Sequence, residues 1–344
     1  MSLNQRIKSL AAVRNILDQF LTKNRAESPT YSEFKNSISL AEIKNPWFTE
    51  NSILSVLNYW NNVLTEEILT QWLSNYTIKS EESKKIGLVL AGNIPMVGFH
   101  DCISTLLAGH QAKIKLSSKD AVLIPFILNL WKEFCEELEF EWVDKLPPCD
   151  AVITTGTTNT ARYFEYYFKD IPHIIRKNRT SIAVLNGNES KEDLHGLADD
   201  VFSYFGLGCR SVTQLFIPEN YDINKLFEVF ISYQDCINHT KYSNNYDYNK
   251  AIYLMNQELF WDNNFILLKE SRNLFSPIGT LYYSTYSDDS ELEKFISQHA
   301  DSLQCVVSAQ PYQQFKTVAP GQAQNPKIDD YADGVDTLDF LSNL

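Results

Sequence analysis

Apolar residues recur at helical spacing through the first quarter of the chain. Leu10, Val13, Leu17, Phe20 and Leu21 fall on one face, and Ile53, Val56, Leu57, Trp60 and Leu64 on another. Asn51-Ser52 and Thr65-Glu66-Glu67 supply helix-start residues. Residues 1–82 therefore read as helical, with packing as their role. The texture changes at Lys85. KIGLVLAG (85–92) is a short apolar run closed by glycine, as expected of a strand buried on both faces. VGFHDCISTLLAGH follows as a helix ending near Gly109, then QAKIKLS as a strand and AVLIPFILNLWKEFCEEL as a helix with an early proline. FEWV and CDAVITTG read as strands, TTNTARYFEYYF as a helix, IPHIIRK as extended and SIAVLNG as another buried strand.

Strands alternating with helices of this length predict right-handed crossovers and a parallel sheet covered on both faces. Ligands of such sheets bind beyond the carboxyl ends of the strands. Three stretches occupy those ends: GNIP (92–95), KLSSKD (115–120) and TGTTNTA (155–161). SIAVLNG, the helix LHGLADDVFSYF, the turn FGLGCRS and the strand QLFIP begin a second strand-helix-strand block. A polar stretch rich in tyrosine and asparagine (233–250) comes next, then a strand in SPIGTLYYSTY, the helix DDSELEKFISQHA and the strand LQCVVSA. Three regions are expected: 1–177, a helical N-terminal region with a ligand-binding parallel sheet; 178–310, a second α/β domain; and 311–344, a tail that docks through Leu338 and Phe340.

The chain has 344 residues, 44% hydrophobic, enough for about two domains with a sizeable core. Its net charge of −13 argues against a nucleic-acid or anionic-membrane partner, though a local basic site can still hold an anionic cofactor. No stretch approaches about eighteen uncharged apolar residues, and the N-terminus lacks a continuous apolar signal region, so neither a membrane span nor a leader is expected. The six cysteines form no C-x-x-C pair and the six histidines no H-E-x-x-H, which predicts reduced, cytoplasmic usage and no metal site.

Candidate chemistry lies at the strand ends and at Cys209. Gly206 and Gly208 flank this cysteine where the backbone turns; it is a nucleophile or a small apolar side chain closing a core. The Gly156 turn, with the Thr157 and Thr158 hydroxyls at a helix start, suits either a phosphate or simple N-capping. Lys115 suits a ribose or phosphate, or solvent. Asn93 offers an amide donor, or serves turn geometry. His100 and His173 are candidate proton donors, but packing is the ordinary role of such histidines, and both are left out of the catalytic assignment.

In this order, the strand-end sites and the cysteine turn resemble the aldehyde dehydrogenase superfamily. GNIP is similar to that family's W-N-x-P loop, KLSS to K-P-S/A-E, GTTNTA to G-S-T-x-x-G and GLGC to G-Q-x-C. NLFSPIGTLYY is similar to the E-x-F-G-P-V segment. The resemblance covers roughly residues 86–310 and is closest to the LuxC-like acyl-CoA reductases, whose tail the segment GQAQNPKIDDYADGVDTLDFL also resembles. It implies an aldehyde dehydrogenase-like α/β fold: a Rossmann-like cofactor domain, an α/β catalytic domain and a helical N-terminal region. It makes Cys209 the nucleophile and Asn93 the oxyanion donor, its amide working with the Cys209 backbone N–H. It puts Lys115 on the adenosine ribose, Thr157 of the Gly156 turn toward the pyrophosphate, and Phe275 near the nicotinamide ribose.

The departures sharpen that expectation. Ser118, followed by Lys119, replaces the glutamate that holds the ribose hydroxyls and disfavours a 2′-phosphate. Trading an anion for a cation there points to NADP(H). Asn273 replaces the glutamate before Phe275 and can still hydrogen-bond a ribose. The family's water-activating glutamate lies some thirty-four positions before the nucleophile; counting back from Cys209 reaches Ile175, inside the basic run HIIRKNRT. Lacking a base for hydrolysis, the resemblance implies NADPH-dependent reduction of an acyl-CoA thioester to an aldehyde through an acyl-cysteine. Arg176, Lys177 and Arg179 are then candidates for the CoA phosphates, with solvated surface as the ordinary reading of each. An aldehyde or semialdehyde dehydrogenase and a non-catalytic nucleotide-binding relative are the alternatives. A homo-oligomer or an acyl-donor partner enzyme also fits the resemblance.

Overall fold

The computed structural model describes residues 2–22, 28–78 and 82–344; the helical reading of 1–82 is otherwise outside the described residues at 1, 23–27 and 79–81. The chain divides into two compact units, 1–178 with 327–344, and 179–326.

In the first unit, α1 (Leu3–Leu21), α2 (Pro29–Lys44), α3 (Glu50–Val63) and α4 (Glu66–Leu73) each start at a hydroxyl cap, Ser2, Ser28, Thr49 and Thr65. The third helix begins ahead of Asn51-Ser52, because the Thr49 hydroxyl already accepts the Ser52 N–H. The apolar stripes meet in one core, where Leu10, Leu17, Ile53, Leu57 and Trp60 are buried. Beside it lies a parallel sheet built from β1 (Lys85–Val89), α5 (Phe99–Ala108), β2 (Gln111–Lys115), α6 (Leu123–Phe134), β3 (Phe140–Trp142), β4 (Ala151–Thr155), α7 (Thr158–Tyr167) and β5 (His173–Arg176). Its order is β3-β2-β1-β4-β5. Direction of travel reverses between β1 and β4, so the loops after those strands flank the switch point where nucleotides bind in such sheets.

The second unit runs β6 (Thr180–Val184), α8 (Lys191–Phe202), β7 (Val212–Pro218), α9 (Asn224–Phe230), α10 (Thr240–Met255), β8 (Trp261–Asp262), β9 (Leu267–Glu270), β10 (Thr280–Tyr286), α11 (Asp289–Gln298), β11 (Leu303–Val307) and β12 (Thr317–Val318). Its sheet has the order β12-β11-β6-β7-β10-β9-β8, parallel except where β8 meets β9. Leu185, Leu197, Val212, Leu215 and Phe230 are buried in its main core.

The last eighteen residues (327–344) pack on the first unit. In α12 (Thr337–Ser342), Leu338 and Leu341 are buried, and the Leu341 carbonyl lies 3.0 Å from His110 Nε2. The Trp72 indole donates to Tyr331 Oη at 2.7 Å, and Tyr76 Oη donates to the Asp336 carboxylate at 2.7 Å. Among the described residues, no helix is long and apolar enough to cross a membrane.

Candidate functional site

The carboxyl edge of the first sheet gathers the expected cofactor groups of that unit. Register pairs Val89 with both Lys115 and Thr154, so β1, β2 and β4 end at one level. Their loops leave Asn93, Lys115, Ser118, Lys119 and Thr157 exposed and Gly156 half-buried. Gly92 has a local reason: a Cβ there would lie 2.6 Å from Ser117 Oγ, so glycine lets the β1 and β2 loops touch. Thr157 caps α7, its hydroxyl accepting the Thr160 N–H at 3.3 Å. The N-capping alternative is thus real. The Thr158 side chain lies outside what the structure describes. Lys115 and Lys119 are exposed cations beside the Ser118 hydroxyl, and no carboxylate lies among residues 115–119.

Cys209 lies in the second unit, half-buried on the turn that feeds β7. The approach to it is unusual. Tyr204 (φ 53°) and Phe205 (φ 56°) are both left-handed, ahead of Gly206 (φ 75°). Each non-glycine residue in that region costs about 1–2 kcal/mol, so the surroundings must hold the turn in place. The Phe205 ring lies 4.6 Å from that of His239, centroid to centroid. The Ser211 N–H donates to the Gly208 carbonyl at 3.1 Å, and Ser181 Oγ donates to the Cys209 carbonyl at 3.1 Å. Ser181 also meets Cys305 Sγ at 3.1 Å, and burial pushes the Cys305 thiol up to about 11. In the same unit Asn273 and Phe275 are both exposed, Phe275 by 48%. The same unit carries a polar recess of about 260 Å³ lined by Glu270, Ser271, Arg272, Ser284 and Thr285.

The basic run divides. Arg176 is buried, its Nη1 paired with Asp101 and its Nη2 donating to Thr337 Oγ1 at 2.8 Å. It holds the C-terminal helix and has no surface to offer a CoA phosphate. Lys177 pairs with Glu165 at 2.9 Å, and Arg179 donates to the Ala300 and Leu303 carbonyls at 3.2 and 2.9 Å. Ile175 is half-buried on β5. His100 sits against the Ile328 carbonyl at 2.8 Å and the Trp72 and Tyr331 rings, and His173 against the Phe168 and Ile171 carbonyls. Both are structural histidines.

Sequence reasoning passed over Asp120, a buried carboxylate between the β1 and β2 loops, and the Ser181–Cys305 pair behind the cysteine turn. Asp120 closes KLSSKD without a role of its own there, and Ser181 and Cys305 stand in no motif. Their only sequence signal is a polar residue beside an apolar run.

No protein-family model matches the chain, and a search of curated proteins finds no match. Solved structures do match. The NAD+ complex of an aldehyde dehydrogenase from Bacillus cereus superposes with a TM-score of 0.62 at 9% identity, over 89% of this chain and 72% of that one. Aldehyde dehydrogenase 21 from Physcomitrella patens, in complex with the reaction product succinate, gives 0.67 at 11% identity, over 100% and 84%. A Mycobacterium tuberculosis aldehyde dehydrogenase complexed with NAD+ gives 0.59 at 10%, over 86% and 71%. The fold is therefore aldehyde dehydrogenase-like, the fold class expected from the ordered motifs.

Proposed function

We propose that the protein reduces an acyl-CoA thioester to an aldehyde with NADPH, carrying the acyl group on Cys209. The fold supports a nicotinamide-dependent oxidoreductase working at the aldehyde level, since its structural neighbours are aldehyde dehydrogenases and two of them hold NAD+. The observation that sets the direction is Ile175. The position that would carry a water-activating carboxylate is apolar, and the neighbouring Arg176 is committed to Asp101. Without that base, water attacks an acyl-cysteine slowly, and reduction competes.

In this reading the Cys209 thiolate attacks the thioester carbonyl, forming a carbon–sulfur bond while the π electrons move to oxygen. The family resemblance assigns the Asn93 amide and the Cys209 N–H to that oxyanion. Its collapse expels the CoA thiolate and leaves the acyl-cysteine. By the same resemblance, Lys115, Ser118, Lys119, Gly156, Thr157, Asn273 and Phe275 would hold the cofactor. NADPH, when bound, would supply the hydride needed to bring the acyl carbon to the aldehyde level. Breaking the carbon–sulfur bond then frees the aldehyde and returns the Cys209 thiolate.

Intact-mass measurement after exposure to a panel of acyl-CoA thioesters tests this. The wild type should gain one acyl group, Cys209→Ala none, and NADPH should discharge the adduct as aldehyde. The aldehyde dehydrogenase activity of the neighbours favours a second reading, oxidation of an aldehyde or semialdehyde. Acid formed from an aldehyde without CoA would establish it instead. Absence of acylation at every chain length would favour a nucleotide-binding relative without catalysis.

A further inference from the structure

The loop after β1 is fixed by three separate devices, and one of them is costly. Gly92 lets it touch Ser117 (a Cβ would clash at 2.6 Å), and Pro95 fixes its own φ. Met96, buried at 2% exposure, takes a left-handed φ of 56° and turns its N–H inward to donate to Asp120 Oδ2 at 2.7 Å. Asp120 is itself 3% exposed, and its Oδ1 has no hydrogen-bond partner. Burial raises this carboxyl to about 7, against the pull of the Met96 amide. A half-satisfied buried carboxylate is expensive, and packing alone would be met better by an apolar or hydroxyl side chain. What the acid supplies is a strong acceptor for the amide of a strained residue.

Asp120 also ends the loop after β2. Its N–H donates to the Ser117 carbonyl at 3.1 Å, closing the turn that exposes Ser118 and Lys119. Asn45 Nδ2 donates to the Lys119 carbonyl at 3.2 Å from the helical region. The bracing therefore runs from the helices through the 117–120 turn to Met96. Within 92–96, Asn93 is the one exposed residue.

We propose that Asp120 is a positioning residue that holds the Asn93 amide in place for the chemical step by clamping loop 92–96 to loop 117–120. The proposal rests on the reading of Asn93 as the oxyanion donor. Asp120 does not touch the reacting atoms; it acts through the Met96 amide on the chain that carries Asn93. Loss of the clamp should slow attack on the thioester while leaving the affinity for it in place.

The test is single-turnover acylation by an acyl-CoA in the wild type, Asn93→Ala, Asp120→Ala and the double variant. Removing an oxyanion donor costs about 10²–10³ in rate, so Asn93→Ala should lose that much. Asp120→Ala, which leaves the Met96 N–H without its acceptor, should lose at least about tenfold at saturating acyl-CoA, with the half-saturating concentration within about threefold of wild type. In the double variant the Asp120 change should add nothing, because residues acting as one unit are non-additive. Multiplying losses would overturn the proposal, placing Asp120 in a separate structural role. Full-rate acylation in Asn93→Ala would overturn the underlying reading at that variant alone, before Asp120 is touched. Hydrogen exchange on the wild type covers the case in which Asp120→Ala does not fold. The Met96 amide should be strongly protected, and exchange at the rate of an open loop would refute the clamp.

Discussion

The Ser181 hydroxyl donates its one proton to the Cys209 carbonyl oxygen at 3.1 Å, so the Cys305 thiol, 3.1 Å from the same oxygen, must donate to it. Burial pushes the Cys305 thiol up to about 11, against the pull of the Ser181 hydroxyl. That hydroxyl also ties the cysteine turn to β6. Ser181→Ala should remove that tie at a cost of about 1 kcal/mol and slow acylation of Cys209 several-fold. Rapid-quench acylation checks it. An unchanged rate would mean that the left-handed turn at Tyr204-Phe205 holds Cys209 unaided.

Thiol chemistry should single out Cys209. Cys102 and Cys135 are buried, burial raises the Cys149 thiol, and burial takes Cys236 and Cys305 each up to about 11. Two pKa units above an ordinary thiol cut the reactive thiolate roughly a hundredfold. Limiting iodoacetamide near neutral pH, followed by peptide mapping, should therefore label Cys209 first. First labelling at Cys149 or Cys236 would contradict the assignment.

Cofactor choice should turn on the exposed pair Ser118-Lys119. NADPH should bind more tightly than NADH, and Lys119→Glu should narrow the ratio of their dissociation constants by about tenfold or more. Fluorescence titration of both nucleotides measures it. An unaltered ratio would show that the 2′-phosphate lies elsewhere.

Breaking the buried ion pair should be severe. Both side chains of Arg176–Asp101 are 6% exposed, so Arg176→Met strands a carboxylate and should cost about 3–5 kcal/mol. Adding Asp101→Asn should recover part of that loss, because the stranded charge goes with it. Urea unfolding decides; a double variant no more stable than Arg176→Met alone would rule out the pairing as the cause.

The same pair shows where reading the sequence stops. KIGLVLAG, CDAVITTG and SIAVLNG announce buried parallel strands, because the apolar run is itself the physical cause of the strand. The strand ends follow, and with them the positions of Asn93, Lys115 and Thr157. Arg176 read as one of a basic cluster because its neighbours in sequence are Lys177 and Arg179, while Asp101, seventy-five positions earlier, neutralises it in the fold. Asp120 closes KLSSKD, a stretch whose reading rested on Lys115, Ser118 and Lys119, and nothing local tells that the Met96 amide needs an acceptor. The short strands β8, β9 and β12 carry too few residues for a period to show. The left-handed Tyr204 and Phe205 are invisible for another reason: neither is a glycine or asparagine, and tertiary contacts impose what local preference resists.

Asp200 gives a prediction with a definite sign in pH. It is fully buried on α8, its Oδ2 accepting the Gly321 N–H at 2.7 Å and its Oδ1 the Ala323 N–H at 3.1 Å. That segment can lie on the helix because Gly196 has no Cβ, which would meet the Pro320 carbonyl carbon at 2.6 Å. Burial raises the Asp200 carboxyl from 3.8 to about 7. Between those values the folded chain keeps a proton that the unfolded chain has lost, so stability falls as pH rises through the window and levels off above it. Glu165 and Glu258, held low by Lys177 and Lys269, lose their contribution only as pH falls below their ordinary value of 4.5. His110, lowered by burial, works against Asp200 below its ordinary value of 6.5. Comparison with Asp200→Asn cancels the His110 contribution. The variant should be less stable throughout, since its amide N–H must face a backbone N–H, at a cost of about 1–3 kcal/mol. Its deficit should be larger at about pH 5 than at about pH 8, because only the wild type gains from taking up the proton. Urea midpoints across that range measure the difference. A deficit that stays constant, or widens as pH rises, would show that Asp200 is already ionised in the folded protein.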